Sequence, residues 1–454
     1  MSQIKIKITA GCFGLILLLH CTSHLELLQP DMPCSQNPDE YVRSTNTAKR
    51  LISSAYQDSL DARFNKLFFN PWTRGQSAPA DEHLFWAIPF IQKSKGFGEN
   101  KLPYAEHWKA SIIQNADTGN VGNEIWMGMN TQRTSLRALP TDRPFFLDFN
   151  RAGEGYPFDY LQNSALPLNT PLRVIHQSRD KAWLLVESHH SSGWIPTETV
   201  CKVNEEQRHF RRSSKQIALV HEPVSVIDSS GQFIAQLRIG SFFPFIDSTS
   251  ADWLLGMMIR NEKGEGITRT GKISKEYAVL KPWTLNYQHL LQLSKEFLDQ
   301  PYGWGGWLNN RDCSAMIKDF FTPFGIWLPR HSKAQVDYLP DQTELFHLRA
   351  SDKEYVIVQQ GRPYLSLLWK PGHIMLFAGE DKDQRPVVLH TLWGIKMKSR
   401  FGKEGRAIIG RGVLTTLTPD KDLNIPHVPV SLIDQIGKMA WIVNPDSILV
   451  DHKN

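Results

Sequence analysis

Cys313 stands between Asp312 and Ser314, a few residues after the run Tyr302-Gly303-Trp304-Gly305-Gly306-Trp307. His373 follows in Pro371-Gly372-His373-Ile374, and His390 in Leu389-His390-Thr391-Leu392. A thiol, then an imidazole, then a second polar group is the set that acyl transfer needs: a nucleophile, a base to take its proton and a group to orient the base. The order suggests a cysteine peptidase. The same residue types can hold zinc, but none of the three belongs to a CxxC or HxxxH pair, so neither a metal nor an organic cofactor is expected.

The surrounding elements say how these groups are aimed. Asp312 reads as an N-cap, and Met316, Ile317, Phe320, Phe321 and Phe324 recur at helical spacing until Pro323 and Gly325 end the pattern. Cys313 is then the first helical residue. Unpaired backbone N–H groups and the positive end of the helix dipole favour a thiolate there, so its pKa is expected below that of a free cysteine. The same N–H groups can hold a developing oxyanion. Residues 373–378 and 387–392 read as two strands around a polar loop from Gly379 to Pro386. A symmetric loop pairs His373 with Leu392 and Met375 with His390, which puts both imidazoles on one sheet face. Diagonal neighbours sit about 7–8 Å apart, close enough for one ring to orient the other. A slip of one residue would part them.

These residues also carry a resemblance. From about Asn286 to Pro445 the chain resembles the catalytic domain of the NlpC/P60 family, bacterial cell-wall cysteine peptidases with a circularly permuted papain-like fold. The matching features are the Tyr-x-Trp-Gly-Gly loop at Tyr302, Asp312-Cys313-Ser314, the stretch Arg330 to Ser332, Pro371-Gly372-His373, and His390. The resemblance implies that Cys313 is the nucleophile, His373 the general base and His390 the residue that orients it. It also makes Tyr302, Asp312, Ser314 and Ser332 substrate-contacting positions. Ala315 departs from the pattern, where a glycine commonly follows the serine.

The 454 residues are 41% hydrophobic, a globular composition long enough for about three or four domains. The net charge of +5 comes from scattered basic residues, with no block longer than Arg211-Arg212, so nucleic acid is not an expected partner. Lys5 and Lys7 precede the apolar stretch Ile8 to Leu19, too short to span a bilayer and typical of a secretory leader cleaved after Ser23. The protein is therefore expected in the periplasm or cell envelope. It would be held at a membrane only if Cys21 is lipidated, against which stands the bulk of His20. Cys34, Cys201 and Cys313 remain in the mature chain, so a Cys34–Cys201 bridge is the one disulfide that spares the nucleophile.

The expected fold is multidomain α+β. After the leader, residues 1–23, residues 24–132 read as short helices and loops, with helical periodicity from Val42 to Phe64 broken at Phe68-Phe69-Asn70-Pro71-Trp72. Short β-type runs with turns then mark two small barrels, residues 133–205 and 206–283, ahead of the catalytic segment 284–454. This order resembles a subgroup of the family with an N-terminal clip, two bacterial SH3-like domains and the peptidase domain. In that subgroup the first barrel abuts the catalytic groove and restricts it to peptides with a free amino terminus. Asp159 and Tyr160, in the run Tyr156 to Ser164, are the candidates for meeting that ammonium.

The resemblance implies hydrolysis of the γ-D-glutamyl link to a diamino acid in peptidoglycan stem peptides or muropeptides with a free N-terminal L-Ala. An acyltransferase or transpeptidase using the same Cys313 and His373 is the first alternative. A wall-binding protein without turnover is the second.

Overall fold

Two faces of one sheet account for the nearly unbroken apolar run from Ile374 to Ala378. In the computed structural model, which describes residues 25–28, 31–74, 84–399 and 402–449, seven of the eight residues in the strand His373–Glu380 are buried. Ile374, Leu376 and Ala378 pack in one cluster with Met316, Ile317 and Phe320 of the helix Cys313–Phe321. Met375 and Phe377 face the other way, into a second cluster with Ile357 and Ile433. Each such fully buried side chain contributes about 1.5–3 kcal/mol, so the helix is anchored by its whole inner face. The expected leader and Cys21 lie outside the described residues.

The catalytic sheet runs Leu25–Leu28, Glu404–Thr416, Pro386–Lys398, His373–Glu380, Ser366–Lys370, Lys438–Trp441 and Gln342–Glu344 in spatial order. The hairpin has the expected register where it matters: Leu376 faces Leu389 and Phe377 faces Val388, with an irregularity beyond Phe377. Strand alternation therefore gives His373 and His390 the same face.

Two further seven-stranded sheets precede it among the described residues. The first contains Pro171–Gln177, Trp183–Glu187 and Ser192–Pro196, as the sequence pattern predicts. It also takes in Trp126–Asn130, on the N-terminal side of the expected start at residue 133. The second contains Gln216–Leu219, Phe242–Ser248 and Asp252–Arg260. Ahead of the barrels the helix Ser54–Phe68 starts later than the periodicity from Val42 suggests, because Ser53 caps it by accepting from the Tyr56 N–H. The Gln57 side chain from this helix donates to the carbonyls of Trp283 and Phe324, tying the N-terminal segment to the end of the nucleophile helix.

The second barrel is bolted on by charge. Glu222 accepts from both terminal nitrogens of Arg311 and from the Ile239 N–H, all with little or no solvent, and from the partly exposed Arg238. Arg311 also binds Asp319 on the nucleophile helix, so barrel and helix share one buried ion network.

Candidate active site

Cys313 opens its helix, with Asp312 as N-cap accepting from the Ala315 N–H at 2.9 Å. The Met316 N–H is taken by the Asp312 carbonyl. That leaves the N–H groups of Cys313 and Ser314 at the mouth of the helix, where acyl-transfer chemistry needs oxyanion donors. Cys313 and His373 are both buried and line one cleft of about 790 Å³. The thiol also receives the backbone N–H of Ile374, the residue after the base.

His373 and His390 meet directly, Nε2 to Nδ1 at 2.9 Å. His390 Nε2 then lies 3.1 Å from the Thr415 hydroxyl, which itself donates to the Thr416 carbonyl at 2.8 Å. A hydroxyl has one proton, so Thr415 accepts from His390 Nε2–H. His390 Nδ1 must then accept from His373 Nε2–H, and the lone pair of His373 is left on Nδ1. Thr415 carries no local sequence signal. It sits one strand over and 25 residues from His390.

The electrostatics reverse one expectation. Burial first, then the Asp312 carboxylate, push the Cys313 thiol up to about 12, outweighing the helix N-terminus. Burial holds His390 down to about 3. His373 is well below the usual histidine range through burial, the neighbouring His390 and Lys370. At rest the pair is a neutral thiol beside a neutral imidazole, and proton transfer belongs to the moment of attack.

Asp312 is the hub of the cleft floor. Both its oxygens bind Arg330, at 2.9 and 2.6 Å, and it also accepts from Ser314 Oγ and the Gly305 N–H. Arg330 reaches on to Ser164 of the first barrel at 2.9 Å. Tyr302 lines the same cleft. Burial, Asp312 and Cys313 hold its hydroxyl protonated far above the ordinary range, so it remains a donor.

The first barrel packs against the loop that borders the cleft. Gln162 donates to the Gly305 carbonyl at 3.0 Å, and the barrel strand Gln162–Leu166 leaves no room for side chains on the loop. A Cβ on Gly305 would lie 2.5 Å from the Gln162 carbonyl, and one on Gly306 2.5 Å from the Ala165 methyl, both at positive φ. Phe158 packs edge-on against Trp304, and Tyr156 against Trp393, so aromatic rings from both domains wall the cleft.

Comparison with known proteins bears on this geometry. Residues 299–383 match the NlpC/P60 family, residues 11–120 the stabilising N-terminal domain of NlpC/P60 proteins, residues 144–196 an SH3 domain of the SH3b1 type and residues 204–250 one of the SH3b2 type. The segment that holds Cys313 and His373 is thus similar to the NlpC/P60 family. An NlpC/P60 endopeptidase from Photobacterium damselae subsp. piscicida has the same fold over 92% of this chain and 99% of its own, with 23% identity and a TM-score of 0.82. An NlpC/P60 family protein from Bacillus cereus aligns over 62% of this chain and 83% of its own, at 15% identity and a TM-score of 0.43. No curated protein sequence matches. The NlpC/P60 match spans Cys313 and His373 and stops short of His390.

Of the substrate-contacting positions expected from the resemblance, Tyr302, Asp312, Ser314, Ser332 and Tyr160 all line the cleft. Asp159 does not. It is fully buried, its Oδ2 binds Arg137 at 2.6 Å and its Oδ1 accepts from the N–H groups of Phe145 and Leu161. With no oxygen facing the cleft it holds the barrel together and cannot meet a substrate ammonium. Cys34 and Cys201 are separate free thiols, each donating to a backbone carbonyl, so the bridge considered for them is not formed. Arg330 is the cleft residue that sequence reasoning left without a role, although Pro329-Arg330-His331-Ser332 before a helix marks its place.

Proposed function

We propose that this protein is an exported peptidoglycan hydrolase that cuts the γ-D-glutamyl link to a diamino acid in stem peptides whose L-Ala is free. The observation that carries the reading is that first-barrel residues line the cleft that holds Cys313 and His373. Tyr160, Gln162 and Asn163 of the first barrel, with Trp86 of the N-terminal segment, line the same cleft as Cys313, and in this reading they limit how far the acyl part can extend. A two-residue acyl part fits within that limit, and a muramyl group on its amine does not. With Asp159 occupied, the ammonium would meet the aromatic rings of Phe158 and Trp304.

In this reading His373 Nδ1 takes the Cys313 proton as sulfur attacks the glutamyl carbonyl. The N–H groups of Cys313 and Ser314 and the Tyr302 hydroxyl receive the oxyanion. The proton passes from His373 to the leaving amine, water enters, and the same imidazole activates it against the thioester. His390 keeps the ring in one tautomer throughout.

The test is mass spectrometry of products from defined stem peptides with free or muramyl-blocked L-Ala, using the protein and Cys313→Ser. Cutting of the free peptide alone, lost in Cys313→Ser, is expected. Cutting of both would remove the gate, and amine adducts in place of acid products would make the enzyme a transferase.

A further inference from the structure

The turn between the strands Trp183–Glu187 and Ser192–Pro196 carries two adjacent histidines into the seam between the first barrel and the nucleophile helix. Ser188 ties the turn shut: its N–H and its hydroxyl both donate to the Ser191 carbonyl, and its oxygen accepts the Ser191 N–H. The His189 ring packs 4.7 Å from that of Phe68, at the end of the N-terminal helix, and meets His190, Nε2 to Nδ1, at 2.9 Å. His190 Nε2 lies 3.3 Å from Ser164 Oγ, which accepts from Arg330 Nε. Arg330 in turn grips both oxygens of Asp312. An unbroken chain of polar contacts thus runs from the barrel turn to the cap of the Cys313 helix.

The chain tolerates a fixed number of protons. Two neutral imidazoles hold two ring protons, and the contact between them uses one. The other sits on an outer nitrogen. On His190 Nε2 it meets Ser164, which accepts it and turns its own proton to the Ala165 carbonyl at 3.4 Å. A third proton fills both outer nitrogens, and His189 Nδ1 is buried with no partner, so an N–H there is stranded.

The surrounding charges act in the same direction. Lys318 and Asp319 of the nucleophile helix face His189, and Lys318, Arg330 and His331 face His190. Asp319 is already bound by Lys318 and Arg311, and Glu187, at the base of the turn, by Arg173. On the N-terminal side, Arg211 lies over the Phe68 ring. Burial, then Lys318, hold His189 well below the usual histidine range, and burial, then His189, Lys318, Arg330 and His331, do the same for His190.

We infer that His189 and His190 are positioning residues: neutral, they hold the first barrel to Arg330 and Asp312, and a third proton on the pair breaks this chain, so that acid releases the barrel from the nucleophile helix. In an open seam the rings titrate near the ordinary value of about 6.5, so the closed form is favoured above that pH and is lost as pH falls below it, by about tenfold per pH unit for one proton. The release needs no turnover. Its effect on the reaction rests on the reading above, in which Cys313 is the nucleophile.

Hydrogen exchange by mass spectrometry on the full chain without substrate, corrected for the intrinsic pH dependence of exchange, measures the seam. The reporter is the segment 303–316, because Asp312 binds the Gly305 and Ala315 N–H groups. From pH 6.5 to 4.5 its exchange is expected to quicken by about tenfold per pH unit while the strand His373–Glu380 stays protected. The double variant His189→Gln/His190→Gln, which cannot take up the proton, should flatten that dependence. Should it fail to fold, Ser164→Ala cuts the same chain at a small side chain and should open the segment already at pH 7. Wild-type exchange that does not respond to pH, a double variant with the wild-type dependence, or a Ser164→Ala segment as protected as wild type overturns the inference. Cleavage of the free stem peptide is followed alongside. Cleavage with flat exchange removes the positioning pair and leaves the peptidase reading, whereas acid release without cleavage at any pH leaves the pair and removes the reading.

Discussion

His373 and His390 share a hydrogen bond of 2.9 Å that can run in only one direction. Thr415 spends its proton on the Thr416 carbonyl, so the whole relay from Thr416 to His373 has a fixed polarity ending in a bare Nδ1. Thr415→Val removes the acceptor for His390 Nε2–H and should lower stability by about 1–3 kcal/mol, the cost of a buried unpaired donor. We expect kcat to fall about tenfold or more with little change in KM, and Thr415→Ser to restore both. Chemical denaturation and steady-state kinetics check this. A Thr415→Val enzyme with normal kcat would show that the tautomer is set some other way.

The raised Cys313 thiol predicts how the resting enzyme meets an alkylating agent. Below its pKa of about 12 the thiolate fraction grows tenfold for each pH unit. Iodoacetamide should therefore modify Cys313 slowly at neutral pH and progressively faster toward pH 10, with no acidic plateau. Timed mass spectrometry against Cys313→Ser measures it. A plateau between pH 5 and 8 would mean a preformed thiolate and imidazolium pair.

Acid should destabilise the fold through the same histidines. His390 is held down to about 3 when folded, while in the unfolded chain it titrates near the ordinary histidine value of about 6.5. The unfolded state thus binds the extra proton first, and stability is full above about pH 6.5 and is lost as pH falls toward 3. The contribution of this one group has a slope of about 1.4 kcal/mol per pH unit. His390→Asn should flatten the pH dependence of urea midpoints over that window, and an unchanged slope would assign acid lability to other groups.

Gly305→Ala tests the docking of the first barrel. The added methyl meets the Gln162 carbonyl at a position already committed to positive φ, so loop or barrel must retreat. A loss of stability, together with newly acquired cleavage of the muramyl-blocked peptide if the wall is displaced, is expected. A variant with wild-type stability and cleavage pattern would refute a tight seam.

What could be read from the sequence was what is local. The cap at Asp312, the helical period through Phe324 and the hairpin register between Leu376 and Leu389 each depend on neighbours within one element. What could not be read depends on partners brought from afar. Asp159 looks like a free loop acid until Arg137, 22 residues earlier, is folded against it. Arg330 joins Asp312 across 18 residues and Ser164 across 166. The thiol shows the same divide. Its helix position is local and argues for a thiolate, whereas its burial is a property of the assembled domains and wins.

The contact between Gly305 and Gln162 gives the molecule a division of labour. On the proposed function, the group that breaks the bond and the stop that measures the substrate lie on separate domains, joined where not even a methyl group fits. Substitutions on the barrel side can therefore lengthen or shorten the peptide accepted while the cutting edge stays as it is, so that reach and chemistry are free to change independently.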